Sequence, residues 1–192
     1  MAASFYALIA RMRLIKRWGL MRNSYEENIQ EHSHMTAVLA HALAVIRRDV
    51  FGMDADPDRV AAVALFHDAS EIITGDMPTP VKYYNPEIMQ AYKQVEHLAG
   101  QKLLELLPDE LTGSYKELLD CRDENIKRLV KAADKLSAYI KCVEERKAGN
   151  EEFKSAEMQI KKILDSLDMP EVKYFMEKFM PAFGMSLDEL TL

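Results

Sequence analysis

Apolar residues recur at three- and four-residue spacing along almost the whole chain, and few residues interrupt them. Of 192 residues, 7 are glycine and 7 are proline. A β-sandwich or barrel needs a turn about every 8–12 residues, and this chain lacks the punctuation for one. Phe5 to Trp18 places Phe5, Leu8, Ile9, Met12 and Ile15 on one stripe and predicts an amphipathic helix. Glu31 to Arg48 sets His32, Met35, Leu39, Leu43 and Ile46 on one stripe and Val38 and Val45 on another, the pattern of a central helix apolar on two sides. Phe51-Gly52 ends it. Asp56-Pro57 pairs an N-cap side chain with proline at the first helical position. From there a helix is predicted through Val60, Val63, Ala64, His67, Glu71 and Ile72 to a stop at Gly75. Thr74 to Pro80 reads as a stiff loop, since Pro78 and Pro80 fix φ. Pro86 opens a helix to about Leu107, which Pro108 breaks. Glu124 to Ala148 is the longest periodic segment, followed by Glu151 to Leu167, Val172 to Met180 and a short turn at Ser186 to Leu190. With no repeat, low-complexity tract or linker, the expectation is one all-α domain over residues 1–192.

Charge and cysteine usage narrow the setting. Lys and Arg number 25 against 31 Asp and Glu, a net charge of −6, and the pI is about 5.4. An acidic surface argues against a nucleic-acid polymer as partner, although one small phosphate can still meet a local basic spot. No apolar run approaches the roughly 20 residues of a membrane span. Met1 to Leu20 scatters Arg11, Arg13, Lys16 and Arg17 among its apolar residues, unlike a signal peptide. Cys121 and Cys142 are the only cysteines, and they read as reduced core residues of a cytoplasmic protein.

The residues able to do chemistry are few. Histidine occurs at 32, 34, 41, 67 and 97. His32 lies on the apolar stripe of its helix, and His67 and Glu71, four apart, are expected on one face of theirs, with Asp68 beside them. On Glu124 to Ala148 the stripe is Leu129, Ala133, Leu136, Ile140 and Val143, and Asp134 falls within the buried arc between Val130 and Ser137. A lone buried carboxylate costs several kcal/mol, so it needs a partner. Lys135 lies on the wrong side to reach inward easily, so a metal or a histidine is the better candidate. Two imidazoles and two carboxylates suit Mn²⁺, Fe²⁺, Co²⁺, Ni²⁺ or Zn²⁺ better than Ca²⁺. A single helical histidine on an apolar face is ordinarily just packed there, and the pattern alone leaves both readings open.

At these residues the sequence resembles the HD-domain metal phosphohydrolases. Glu31-His32-Ser33, His67-Asp68 and Ala132-Ala133-Asp134-Lys135 follow the H…HD…D order of that superfamily. Leu14 to Trp18, Leu20 to Asn23, His67 to Glu71, Thr74-Gly75-Asp76 through Tyr83, Tyr139 to Cys142 and Phe183 to Leu190 further resemble the bacterial HD-domain 5′-deoxynucleotidases. A bare His-Asp pair is weak evidence. The ordered set with Arg17-Trp18 and the Gly-Asp-x-Pro-Thr-Pro loop is specific, and Met77, where relatives commonly carry leucine, alters little.

The resemblance implies a helical HD-domain fold with its metal core on helices around 31–48, 57–74 and 124–148. It implies that His32, His67, Asp68 and Asp134 hold one divalent transition metal such as Co²⁺ or Mn²⁺, with His32, Asp68 and Asp134 also bordering the substrate. Arg17 matches the residue that orients the phosphate, Trp18 its neighbour against the sugar, and Glu71 the catalytic carboxylate. Asp76, Met77, Pro78 and Thr79 match the loop around the nucleoside. The implied reaction removes phosphate from deoxyribonucleoside 5′-monophosphates, and the implied assembly is a homodimer.

Elementary chemistry is consistent with these roles. A guanidinium fork matches two phosphate oxygens, and a divalent ion lowers the pKa of bound water and polarises a phosphate for in-line attack. Glu71 is placed either to activate that water or to hydrogen-bond a ligand histidine. The Trp18 ring is expected against the deoxyribose, where it leaves no room for a 2′-hydroxyl. His34 and His41 share a face with Val38 and Val45 and read as packing or dimer-contact residues. Competing readings are another HD phosphohydrolase, acting on a triphosphate or other phosphoester, and a nucleotide sensor without chemistry. Triphosphate chemistry usually needs more positive charge than Arg17, Arg22 and Lys82 supply, and a sensor would be expected to have lost a metal residue or Glu71.

Overall fold

Local signals in the sequence set most of the helix ends. In the computed structural model, which describes residues 3–82 and 84–190 and leaves the Thr79 side chain outside the description, the chain is all-α. Tyr83, one of the matched motif residues, also lies outside the described residues. The helices are α1 (Phe5–Ile9), α2 (Ile29–Val45), α3 (Pro57–Leu65), α4 (Glu71–Thr74), α5 (Thr79–Lys82), α6 (Pro86–Leu104), α7 (Asp109–Leu119), α8 (Glu124–Lys147), α9 (Lys154–Ser166) and α10 (Pro170–Lys178). Asp56 caps α3, its carboxylate accepting the Arg59 N–H at 3.1 Å, and Asn85 caps α6 by accepting from Ile88 at 2.7 Å. Asn28 and Glu31 cap α2 reciprocally: Asn28 Oδ1 accepts the Glu31 N–H at 3.1 Å while Glu31 Oε2 accepts the Asn28 N–H at 3.2 Å. Gly75, with φ of 73°, ends α4 in a conformation that side chains disfavour.

The chain forms two compact units. The first comprises Met1–His34 and Ala62–Asp123, the second Met35–Ala61 and Glu124–Leu192. In the first, Phe5 is fully buried with Ala69, Leu103 and Leu107, and Phe66, Tyr115 and Leu119 pack around them. Removing one such side chain from water is worth about 1.5–3 kcal/mol, and here it fixes α1 against the turn that carries His67 and Asp68. In the second unit α8 is central, burying Leu129, Ala133, Leu136 and Ile140 and packing on α9 and the 3₁₀ turn Met180–Gly184. A fully buried Lys141–Glu145 pair at 2.5 Å lies on α8, and Asn150 donates to the second Glu145 oxygen at 2.8 Å. Such a pair is tolerated because its remaining hydrogen-bonding capacity is met.

Three expectations are corrected, and one helix was not anticipated. The first helix does not run to Trp18: it tightens to a 3₁₀ turn over Ala10–Leu14 and is extended at Ile15. The reason is a competing pairing, an isolated antiparallel bridge between Lys16 and Asn28 in which Arg17 donates to the Glu27 carbonyl at 2.9 Å and Ile29 to Ile15 at 3.0 Å. Helix α2 is not buried through a second bulky stripe. Val38 is 50% exposed, and the second buried line is Ser33, Ala37, Ala40 and Ala44, small residues that a search for large apolar side chains passes over. The segment 57–74 is not one helix. Its ladder ends at Leu65 and residues 66–70 close tighter turns, Ala69 donating to Phe66 and Glu71 to Asp68, both at 3.0 Å. Helix α7 was absent from the periodicity; it has no fully buried residue and contains Thr112-Gly113-Ser114, all poor helix formers. Among the described residues, no helix is long and apolar enough to cross a membrane.

Candidate metal centre and phosphate site

Three of the four expected ligands converge. His32 lies one turn inside the cap of α2 and is fully buried; His67 and Asp68 sit on the turn between α3 and α4. One ligand atom from each of the three lies within 4.8 Å of the others. Asp68 Oδ2 is 3.6 Å from His32 Nε2 and 3.2 Å from His67 Nε2, and the two rings are 5.3 Å apart, tilted by 57°. His67 and Asp68 meet at one point, as adjacent residues about 100° apart on a helix are expected to, although residues 66–70 form a turn rather than a continuous helix.

The chemistry of these donors fits a cation. His67 Nδ1 is 2.7 Å from the Ala64 carbonyl, which can only accept, so Nδ1 carries a proton and, in the neutral ring, Nε2 presents its lone pair. That lone pair then faces an acceptor oxygen of Asp68. Two acceptors at this distance repel unless a proton or a cation lies between them.

Glu71 and Asp76 share this surrounding. Burial, first of all, and then the charges of Asp68 and Asp76 push the Glu71 carboxyl up to about 9, with Arg17 and Lys82 pulling the other way. Asp76 is also raised, chiefly by burial; Arg17 and His32 oppose this and Asp68 adds to it. The loop carrying Asp76 is pinned by Tyr92 of α6, whose hydroxyl donates to the Gly75 carbonyl at 3.2 Å. Lys82, above the Tyr92 ring at 4.7 Å, pairs with Glu96 at 2.8 Å. Met77 and Pro78 are half-buried in the same loop, and the Pro78 carbonyl accepts from Val81 at 2.8 Å. The expectation for Thr79 falls on a side chain outside the described residues.

Arg17 and Trp18 follow the bridge that ended the first helix early. The Arg17 guanidinium is mostly buried, its Nε 3.4 Å from Glu27 Oε2, and its Nη1 is buried without a hydrogen-bond partner among the described residues. Trp18 has φ of 57°. That left-handed conformation costs a bulky residue about 1–3 kcal/mol and persists only where the surroundings enforce it. Here Trp18 Nε1 donates to Glu27 Oε2 at 2.9 Å, and the Trp18 carbonyl accepts from Met21 N–H at 2.9 Å.

Asp134 lies on α8, in the second unit. It is half-buried rather than enclosed, and Lys135 Nζ donates to its Oδ2 at 3.1 Å. The expectation that Lys135 would not easily reach Asp134 is therefore corrected: the long flexible lysine stem carries its ammonium around the helix to a neighbouring carboxylate that reaches solvent. His34 and His41 are exposed and, among the described residues, join no cluster of ligands; His41 Nε2 is 3.7 Å from the exposed Asp58. Cys121 and Cys142 are buried free thiols. Two polar residues of the site escaped the sequence reading, Glu27 and Tyr92. Nothing in a lone glutamate or tyrosine signals its role, although Glu27 falls just before the Asn-x-x-Glu cap of α2.

Comparison with known proteins places this arrangement. Residues 4–183 match the family described as 5′-deoxynucleotidase YfbR-like. A 5′-deoxynucleotidase of Yersinia pestis (strain Pestoides F) is 50% identical over 190 residues, 98% of this chain and 96% of that one. Among solved structures, an HD-domain phosphohydrolase from Listeria innocua superposes with a TM-score of 0.82 at 22% identity, over 94% of this chain and 88% of that one. A cyanophage S-2L HD phosphohydrolase bound to dA and one catalytic Zn²⁺ ion gives 0.62 at 25% identity, over 92% and 95%. The helical fold, the His32–His67–Asp68 convergence and the near full-length matches agree, and the chain belongs to the YfbR-like 5′-deoxynucleotidase family of HD-domain phosphohydrolases.

Proposed function

We propose that this protein is a metal-dependent phosphomonoesterase that removes the 5′-phosphate from deoxyribonucleoside 5′-monophosphates. The observation that carries the reading is the convergence of His32, His67 and Asp68 beside the carboxyls of Glu71 and Asp76 and the mostly buried Arg17. Near full-length identity to enzymes named for this activity supports it. In this reading residues 1–192 act as one domain whose metal core comprises α2, the segment 57–74 with its turn, and α8. Asp134 is the fourth ligand, by resemblance. A divalent transition ion, Co²⁺ or Mn²⁺ in the first instance, supplies Lewis acidity at the phosphate and lowers the pKa of water.

The chain's own residues do the rest. Arg17 Nη1, a buried donor in need of an acceptor, takes a phosphoryl oxygen and fixes the phosphate for attack from the side opposite O5′. Water adds to phosphorus as the P–O5′ bond breaks; one proton leaves the water and one arrives on O5′. Glu71, with a proton affinity shifted toward neutral and alkaline pH, carries that proton. Trp18 lies against the deoxyribose, and Asp76, Met77, Pro78 and Thr79 surround the nucleoside, with Asp76 placed to accept from the 3′-hydroxyl. Assembly as a homodimer belongs to the same reading and rests on the family resemblance, while cytoplasmic location rests on the two buried free thiols.

Two measurements test it. Release of inorganic phosphate from a panel of deoxy- and ribonucleoside monophosphates, with Mn²⁺, Co²⁺, Zn²⁺ and Mg²⁺ in turn, is expected to favour dAMP over AMP and to yield neither pyrophosphate nor tripolyphosphate from dATP. Ligand-induced stabilisation without phosphate release under any metal would instead identify a sensor. In Trp18→Ala the preference for dAMP over AMP is expected to fall by about tenfold, since a steric sugar filter is worth on the order of 1–3 kcal/mol. An unchanged ratio removes Trp18 from that role.

A further inference from the structure

We infer that Glu27 is a positioning residue that ties phosphate recognition to sugar selection. The inference rests on the roles proposed above for Arg17 and Trp18. One carboxylate oxygen, Glu27 Oε2, accepts from the indole N–H of Trp18 at 2.9 Å and lies 3.4 Å from Nε of Arg17. The two side chains that would meet opposite ends of the sugar phosphate are thus held by a single atom. Glu27 itself is 13% exposed and Arg17 14%, so this charge pair is screened little by water.

Three further observations make the contact more than an incidental ion pair. The Glu27 carbonyl accepts the Arg17 N–H at 2.9 Å, so backbone and side chain of Glu27 grip the same neighbour. With Nε turned toward Glu27, the terminal Nη1 of Arg17 is left buried and unpartnered among the described residues, a donor held ready for an anionic oxygen. The left-handed backbone of Trp18 is a conformation that local contacts must enforce, and the indole bond to Glu27 is one of them. The next residue, Asn28, caps α2, and its carbonyl accepts the N–H of His32 at 3.1 Å. Glu27 is therefore chained within one residue to the helix that carries the first metal ligand. This short segment thus links the backbone of Arg17 to that of His32.

The test uses the full-length enzyme and its single tryptophan as a built-in reporter. In Glu27→Ala, kcat/KM for dAMP is expected to fall by about 10²-fold, the loss that misplacing a clamp by an ångström brings. The dAMP/AMP ratio is expected to drop toward one and the Trp18 emission maximum to shift to the red, with metal stoichiometry unchanged. Glu27→Gln keeps a neutral acceptor for the indole but drops the charge beside Arg17. It is expected to retain the sugar ratio and the Trp18 emission while KM rises and kcat changes little. In a Trp18→Ala background, Glu27→Ala is expected to leave the sugar ratio where Trp18→Ala alone put it. A wild type that discriminates between dAMP and AMP, joined to a Glu27→Ala variant with wild-type ratio and emission, overturns the role of Glu27 and leaves the proposed activity standing. A wild type that hydrolyses both nucleotides alike overturns the reading of Trp18, and the sugar half of this inference with it. Equal losses in Glu27→Gln and Glu27→Ala, in ratio and emission together, overturn the division of labour between the indole bond and the charge.

Discussion

Asp68→Ala is expected to abolish both metal binding and phosphate release. Its Oδ2 approaches both imidazoles, at 3.6 Å from His32 Nε2 and 3.2 Å from His67 Nε2, so no other side chain of the cluster touches as much of the ligand set. Outer contacts of a metal site typically cost 10–100-fold in affinity when removed, and losing a direct carboxylate is expected to exceed about 100-fold. Phosphate release should fall by about 10³-fold or more, because the charge stabilisation a divalent ion gives at the phosphate is worth several kcal/mol. Metal content per chain after desalting, measured beside phosphate release, checks both. A variant that still holds one equivalent of metal would take Asp68 out of the ligand set. Asp134→Ala tests the fourth ligand in the same way: loss of the bound equivalent is expected, and full retention would remove Asp134 from the site.

Much of the site was legible because metal chemistry restricts residue type. His32 and the His67-Asp68 pair stand out in a chain with five histidines, and the structure brings those three together. Their geometry was not legible in the same way. Periodicity carried a helix straight through residues 66–70, whereas the ladder breaks there and the His67 ring lies 2.7 Å from the Ala64 carbonyl. Side-chain competition for a backbone acceptor leaves no trace in apolar spacing. The same limit applies at Trp18, where the stripe of Phe5 to Ile15 favoured continued helix and the pairing of residues 15–17 with 27–29 prevailed. That pairing is non-local, whereas every signal read from the stripe was local. The starts of α3 and α6 were legible for the opposite reason: Asp56-Pro57 and Pro86 carry their determinants within a few residues.

The two misread backbone segments are also those that carry the proposed chemistry. The 66–70 turn bears two of the proposed metal ligands, and the 15–18 segment bears Arg17 and the left-handed Trp18. Regular elements maximise backbone pairing, whereas a site needs side chains aimed at one point. The cost of departing from regularity is met by the buried cluster of Phe5, Ala69, Leu103 and Leu107 beneath the turn and by the Asn28–Glu31 cap behind the bridge.

Glu71→Gln is expected to remove activity while making the metal-free protein more stable at alkaline pH. The Glu71 carboxyl is pushed up to about 9 from an ordinary 4.5, by burial before anything else and then by Asp68 and Asp76. Because the folded-state pKa is the higher one, the folded protein binds the extra proton. Its contribution to stability is complete below about pH 4.5 and is lost as pH climbs toward 9. Within that window each pH unit removes up to about 1.4 kcal/mol, an upper bound for a group with four charged neighbours and a partial path to water. Glutamine has nearly the shape of the protonated acid and nothing to ionise. Melting curves of chelator-treated protein are therefore expected to coincide for wild type and Glu71→Gln near pH 4. They should separate by pH 8, the variant melting several degrees higher, at about 2–4 °C per kcal/mol for a chain of this size. The same substitution leaves no group to carry the proton between water and O5′, and kcat is expected to fall by about 10²–10⁴-fold. Bound metal content should stay near wild type, which separates this loss from that in Asp68→Ala. A variant that is inactive yet no more stable at pH 8 would mean that the buried carboxyl is not held protonated. A stabilised variant with kcat intact would assign the proton transfer to another group. Stabilisation joined to inactivity is the outcome expected if the charge environment that disfavours an ionised Glu71 in the empty site is the one that fits it to move a proton in the occupied one.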